Sequence, residues 1–213
     1  MSVSLRRVGL TLVLLGGALG SLSACFPLAV GGAMVTGLVA TDRRTTGTVV
    51  EDEGIELRSA SRIRENLGER GHVNVTSYNR QVVLTGEVAS AQDKQLVEQI
   101  VAGVDNVRHI VNELAVMGNS TFQQRSSDSL VTGRVKAALL DAKDLFVNAF
   151  KITTERGTVY VMGRVTEREA KRATDVISAT TGVQKVVRIL EIISEDELAR
   201  QAPPARKEET PKQ

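Results

Sequence analysis

A single cysteine is the residue in this sequence whose chemistry is easiest to assign. Cys25 is the only cysteine among the 213 residues. It follows Leu22, Ser23 and Ala24, and the two small side chains allow the chain to lie extended in a protease site. An unpaired cysteine in an exported protein indicates a use other than a disulfide. Its thiol is a nucleophile that can accept a lipid.

The residues that precede Cys25 have the pattern of an export signal. Arg6 and Arg7 make a positive start, and residues 8–19 are apolar but too few to span a bilayer. Residues 22–25 are similar to the bacterial lipobox, which implies cleavage before Cys25, diacylglycerol on its sulfur and an acyl chain on the new amino group. An ordinary secretory peptide with an incidental cysteine is the alternative.

The lipobox reading also predicts a location. Two or three acyl chains anchor a protein firmly, whereas one binds only marginally. Phe26 follows the cysteine where an aspartate would favour the inner membrane, so we expect the outer membrane, with the protein facing the periplasm. We therefore predict a signal peptide over residues 1–24 and a lipidated linker over residues 25–53.

The other reactive residue types do not group into an active site. His72 and His109 lack the spacing of metal ligands, and the glycine-rich residues 30–37 lack the Lys-Ser/Thr of a phosphate loop. Without Arg6 and Arg7, 25 basic residues balance 25 acidic ones, so charge gives no case for nucleic acid. We expect no enzyme activity, catalytic residue, metal site or cofactor.

A repeated strand–turn–strand–helix unit organises the rest of the chain. In residues 151–170, two alternating runs flank a turn at 156–157, and Thr166 with Glu169 forms a capping box that starts a helix. The same pattern recurs 77 residues earlier, where Gly86 stands in the position of Gly163. Matching residue types in register across a whole unit indicate a duplication.

Each copy reads as helix, strand, strand, helix, strand. The spacing of apolar residues predicts helices over 55–70 and 92–102 and strands over 72–78, 81–88 and 107–117. In the second copy it predicts helices over 128–143 and 167–181 and a last strand over 185–193. The domains are thus 54–117 and 128–194, joined by a linker over 118–127 and followed by a disordered tail over 195–213. In the first helix, Leu57, Ala60, Ile63 and Leu67 form the expected inward stripe.

The glycine-containing second strands, residues 84–88 and 161–165, and the Gly-Val pairs at 103–104 and 182–183 resemble the BON domain. The resemblance implies an α+β fold of two tandem αββαβ domains, each with a three-stranded mixed sheet packed against two helices. It implies a non-enzymatic role in outer-membrane integrity, including action at the division site. It also implies two kinds of partner: anionic phospholipid, such as phosphatidylglycerol or cardiolipin, bound by the first helix of the second domain, and the β-barrel assembly machinery.

The first helices of the two copies differ in their outward faces. In the first copy this face carries Arg58, Arg62, Glu65 and Glu69, which is a solvated pattern. In the second copy, opposite the inward Val131, Val135, Ala138 and Leu139, it carries Leu130, Gly133, Arg134, Lys136, Ala137 and Leu140. Apolar side chains flanked by basic ones suit a helix that lies in a headgroup layer.

The resemblance implies a second lipid contact at Gly163, Arg164, Val165 and Thr166. Leu130 stands where the family has a tryptophan, so we expect weaker headgroup affinity, because tryptophan prefers the interface. Arg164 replaces an apolar residue, which either adds a phosphate contact or reduces insertion. Two other uses of the outward face stay open: packing on the first copy, and docking of a protein partner.

Overall fold

The structure is a computed structural model that describes residues 42–201. The first repeat contains α1 (Thr46–Leu67), β1 (Gly71–Tyr78), β2 (Gln81–Val88), α2 (Ala91–Ala102), β3 (His109–Asn112) and β4 (Ala115–Val116). The second contains α3 (Phe122–Asp141), a 3₁₀ turn (Val147–Ala149), β5 (Phe150–Glu155), β6 (Thr158–Thr166), α4 (Glu167–Ser178) and β7 (Lys185–Ile193), followed by α5 (Glu195–Gln201). The predicted signal peptide, Cys25 and residues 202–213 lie outside the described residues.

Each repeat forms one mixed sheet. β1 pairs antiparallel with β2, and both β3 and β4 pair parallel with β2. In the second repeat, β5 pairs antiparallel with β6, and β7 pairs parallel with β6 along nine residues. The third strand of the first repeat is interrupted where the Asn112 side chain accepts a hydrogen bond from the Leu114 amide. The predicted α+β fold of two αββαβ domains is confirmed.

A buried aspartate on the first helix of each repeat holds the hairpin turn. Residues 79–80 and 156–157 all have positive φ, as a two-residue turn between twisted strands requires. Asp52 accepts hydrogen bonds from the amides of Asn79 and Arg80. Asp128 accepts equivalent bonds from the amides at 156 and 157. Each turn is therefore stabilised by a helix side chain, a role that the sequence pattern did not indicate.

The glycines that mark the second strands allow close approach of the backbone. A Cβ on Gly86 would lie 2.0 Å from the carbonyl oxygen of His72, and one on Gly163 would lie 2.5 Å from that of Ala149. Gly86 also has φ +108, where side chains are strained. No other residue fits these two positions without movement of the neighbouring chain.

Each repeat has its own aliphatic core between helices and sheet. In the first repeat, α1 buries Ile55, Ser59, Ile63 and Leu67. The predicted inward position of Leu57 was therefore wrong, and this side chain is 73% exposed. The reason is that Ile55 and Asp52 set the buried stripe, and a residue two positions after Ile55 points about 200° away from it.

The two sheets also pack on each other through the faces that their helices leave open. Because side chains alternate along a strand, Val82 and Leu84 face the first core whereas Val83 faces the second repeat. Tyr78 and Val83 of the first repeat and Tyr160, Met162 and Ile189 of the second form this third cluster. The repeats are consequently joined by an apolar interface between sheets, and the helices lie on the outside.

Three segments predicted as linker or tail contain helix. α1 begins at Thr46, where Thr45 accepts a hydrogen bond from the Thr48 amide, and α3 begins at Phe122 with a capping box of Thr121 and Gln124. α5 follows Ser194, whose hydroxyl accepts a bond from the Glu197 amide. These N-caps satisfy the free amides of a first turn, so helix continues into residues 46–53, 122–127 and 195–201.

Candidate functional site

The outward face of α3 is open to solvent. Leu130 is 63% exposed and Leu140 is 68% exposed, while Val131, Val135 and Leu139 on the opposite side are buried. The predicted residues on this face, Leu130, Gly133, Arg134, Lys136, Ala137 and Leu140, are all exposed. A Cβ added to Gly133 would meet no atom within 4 Å. The face therefore does not pack on the first repeat, which was one of the open readings.

An aromatic residue extends this apolar face. At about 100° per residue, Phe122 and Leu140 lie on the same line along the helix, with Gly133 and Ala137 beside it. Phe122 is 80% exposed. Its place on the helix was not predicted, because residues 118–127 have the polar composition of a linker. We call Phe122, Leu130, Gly133, Ala137 and Leu140 the apolar stripe of α3.

Two cations flank the apolar stripe on opposite sides. Arg134 lies on the side that faces α4, since one of its guanidinium nitrogens is 3.6 Å from the position of a Cβ on Gly182. Lys136 lies on the other side, and both residues are exposed. Within residues 42–201, neither cation has a hydrogen bond or an ion pair. Their charges are available to an external anion.

The structure does not bring the predicted second contact region to this surface. Val165 is fully buried in the core, and the Thr166 hydroxyl accepts a bond from the Glu169 amide as the N-cap of α4. Gly163 is closed off by the carbonyl of Ala149. The expectation that Val165 and Thr166 contact lipid was wrong in this arrangement, because the packing and the cap already occupy their side chains.

Arg164 has partners within the protein. Its guanidinium forms an ion pair with Glu191 at 2.9 Å and a second one with Glu197 of α5. Its charge is therefore largely neutralised, unlike that of Arg134. The position of Arg164 favours a structural role, holding α5 against β6.

Three buried carboxyl groups with shifted pKa values lie away from α3, at contacts between parts of the chain that are distant in sequence. Burial opposes ionisation of Glu87, but bonds from Arg156 and Ser120 outweigh it and lower the pKa. The same balance, with Arg43 as the partner, lowers the pKa of Glu169. Burial raises the pKa of Glu155, whose partner is Asn74. Each of these shifts makes the free energy of unfolding depend on pH.

The described residues form neither a metal-binding cluster nor a membrane-spanning helix. Across positions 42–201, no cluster of three or more histidine, cysteine or acidic side chains is arranged to bind a metal ion. In the same range, no helix combines the length and apolar character needed to cross a membrane.

Comparison with known proteins gives the family. The family model described as BON domain matches residues 51–118 and again residues 127–193. The outer membrane lipoprotein DolP of Haemophilus influenzae is 34% identical over 184 residues, covering 85% of this chain and 95% of that protein. The 21 kDa hemolysin of Actinobacillus pleuropneumoniae is 30% identical over 154 residues, covering 71% of this chain and 79% of that one.

A solved structure of CdsD, a structural protein of the type III secretion system of Chlamydia trachomatis, has 13% identity and a TM-score of 0.29, and covers 71% of this chain and 96% of its own.

The relation to DolP supports an outer-membrane location. Two family matches and the identity to DolP over most of the chain lead to one conclusion: the chain belongs to the BON domain family, as a DolP-like protein with two BON domains.

Proposed function

We propose that this protein is an outer-membrane lipoprotein, anchored through Cys25 on the periplasmic side, that binds anionic phospholipid through α3 and supports membrane integrity. The observation that carries the proposal is the exposed apolar stripe of α3 between two unpaired cations. In this proposal the protein acts by binding and not as an enzyme. Action at the division site rests on the family resemblance alone.

The chemistry of the stripe matches the boundary between lipid headgroups and acyl chains. Leu130 and Leu140 each expose more than half of their surface to water. Burial of one such side chain contributes about 1.5–3 kcal/mol. A lysine or arginine near an anionic surface adds about 1 kcal/mol. Insertion of the stripe with Arg134 and Lys136 at phosphate level is therefore favourable on both counts.

Vesicle co-sedimentation tests the proposal. The protein is the mature chain with Cys25→Ser, so that an acyl anchor does not contribute. We expect binding to rise with the content of phosphatidylglycerol or cardiolipin over phosphatidylcholine, and Leu130→Glu to abolish that rise. Leu57→Glu is the matched control, because Leu57 is a leucine of similar exposure, 73% against 63%, on α1 outside the stripe. Unchanged binding by Leu130→Glu would contradict the proposal.

The same exposed stripe also supports a second candidate function, a scaffold that docks a protein such as the β-barrel assembly machinery. An exposed apolar helix face is a common site of contact with another protein. The two functions separate in one comparison. If Leu130→Glu binds vesicles normally but no longer co-purifies a partner that the unchanged protein retains, the scaffold function is correct.

A further inference from the structure

A shallow groove of about 550 Å³ lies between α3 and α4, on the Arg134 side of the apolar stripe. Its lining includes the apolar side chains of Ala138, Val176 and Ala179, and Thr180 and Thr181 also line it. Arg134 lines it from α3 and Arg172 from α4. The groove thus combines apolar surface with two guanidinium groups, and it adjoins the surface proposed to meet lipid.

Arg134 is free because the second repeat lacks its ion-pair partner. In the first repeat, Arg58 occupies the equivalent helix position, 76 residues earlier, and pairs with Glu51 at 2.7 Å. The residue equivalent to Glu51 in the second repeat is Ser127. Arg134 accordingly has no acidic partner among the described residues, and its guanidinium lies near Gly182, 3.6 Å from where a Cβ would stand.

Arg172 has only a weak competing partner. It pairs with Asp144 at 3.1 Å, and both side chains are about half exposed, at 48%. Pairs of this kind contribute little and exchange readily with other anions. Asp175 is the one acidic residue in the lining, against Arg134 and Arg172, so the lining residues carry one net positive charge.

In the first repeat, the equivalent face of α2 also lines a groove, but without the same charge. It measures about 400 Å³ and is lined by Gln95, Glu98, Gln99 and Ala102. These four residues stand 77 positions before Arg172, Asp175, Val176 and Ala179. The acidic position is shared, but glutamine replaces Arg172. Only the second repeat therefore combines an arginine from each helix with a free charge.

We propose that the groove between α3 and α4 binds the phosphate of a glycerophospholipid headgroup through Arg134 and Arg172, while the acyl chains of that lipid lie along the apolar stripe. This inference rests on the proposed lipid-binding function and adds the headgroup site to it. Guanidinium groups bind phosphate with two parallel hydrogen bonds, which gives geometric selectivity as well as charge. Ser127 contributes by leaving Arg134 unpaired.

The experiment is an NMR titration of the mature Cys25→Ser chain with dihexanoylphosphatidylglycerol below its micelle concentration. We expect saturable shifts at Thr180, Thr181, Gly182 and Arg172. Arg172→Gln, which copies the first repeat, and Ser127→Glu, which restores the missing partner of Arg134, should each weaken binding about tenfold, as expected for loss of one charge-assisted contact.

The control is Arg168→Gln, which makes the same charge change at an arginine of α4 that is 56% exposed and does not line the groove. It should leave the affinity unchanged. An equal loss in this variant, or no loss in Arg172→Gln and Ser127→Glu, would overturn the headgroup site. Inorganic phosphate that binds as tightly as the short-chain lipid would overturn the lipid assignment.

The two proposals fail in different measurements. The vesicle experiment with Leu130→Glu tests the stripe, because it depends on insertion into a bilayer. The titration tests the groove, because its ligand is a single dissolved lipid molecule. If Leu130→Glu loses vesicle binding while the groove variants titrate like the unchanged protein, lipid binding stands and the headgroup site does not.

Discussion

Arg43 and Glu169 form a two-point ion pair across 126 residues of sequence. The two guanidinium nitrogens lie 2.8 and 2.7 Å from the two carboxylate oxygens, and the side chains are only 6% and 2% exposed. Arg43 also donates to the carbonyl of Arg164 at 2.9 Å. The segment before α1 is thereby fixed to the second repeat, at the start of α4.

The next residue fixes the same segment to the first repeat. Arg44 pairs with Asp52 at 2.8 Å, and its guanidinium lies 4.2 Å from the ring centroid of Tyr78. Two consecutive arginines therefore bind one repeat each. A chain that reaches a membrane anchor through this segment enters the folded part at a defined point.

Arg43→Ala should destabilise the protein by about 3–5 kcal/mol, because it leaves Glu169 charged and buried without its partner. Urea unfolding followed by circular dichroism measures the change. Arg168→Ala is the control, since Arg168 pairs with Glu195 at 3.6 Å where both side chains are exposed, and it should change stability by at most about 1 kcal/mol. Equal losses of stability in the two variants would mean that the buried ion pair contributes no more than the exposed one.

Two glycine-to-alanine changes should have opposite effects. Gly86→Ala places a Cβ 2.0 Å from a backbone oxygen at φ +108, so we expect a loss of about 2–5 kcal/mol. Gly133→Ala meets open space within a helix and should add up to about 1 kcal/mol. Thermal unfolding of both variants measures this. A loss in Gly133→Ala would show that its helix surface is covered.

The burial of Glu155 should make the protein less stable as the pH rises. Burial raises the folded-state pKa of Glu155 above the ordinary value of 4.5, so the folded protein holds this proton more tightly than the unfolded chain. The stability that this group contributes is present below about pH 4.5 and is lost as the pH rises through the folded-state pKa. Glu155→Gln should therefore be more stable than the unchanged protein at pH 7.5 and equally stable at pH 4.

Glu169 provides the control for that pH series. Its pKa is lowered, so its contribution is present above about pH 4.5 and is lost as the pH falls through the folded-state value. Glu169→Gln should lose stability at neutral pH and little in acid. A Glu155→Gln variant with this same profile would show that Glu155 is ionised and well paired at neutral pH.

Cys25→Ser in the complete chain should prevent lipid attachment. Mass spectrometry of the membrane-extracted protein should show acyl groups on the unchanged chain and an unmodified chain in the variant. Fractionation should move the variant from the membrane pellet toward the soluble periplasm, because one anchor of two or three acyl chains dominates membrane affinity. An unmodified thiol in the unchanged mature protein would contradict the predicted anchor.

Local signals in the sequence predicted much of the fold. Thr166 and Glu169 form the capping box that their spacing indicates, and β7 has the predicted bounds. Gly86 and Gly163 stand at matching positions of the two second strands, as the repeat indicates. These features depend on neighbours in sequence or on the period of a single element, so the residue pattern contains them.

Features that depend on distant residues were missed. Arg43 belonged to a predicted linker, and nothing in sequence spacing joins it to Glu169. Phe122 was missed for a local reason, because the capping box of Thr121 and Gln124 that begins α3 was not recognised. The positions of Val165 and Thr166 were inferred from resemblance alone, and packing of the surrounding core decided their burial.

The cluster of Tyr78, Val83, Tyr160, Met162 and Ile189 has a consequence for how the duplication is maintained. Each repeat covers the apolar sheet face of the other repeat. A protein with a single repeat would expose that face to water and tend to aggregate. Loss of either copy therefore harms the survivor, even where the lost one touches no lipid. Natural selection would retain the first repeat because it covers the sheet of the second, while the outer helices of the first repeat would be free to diverge.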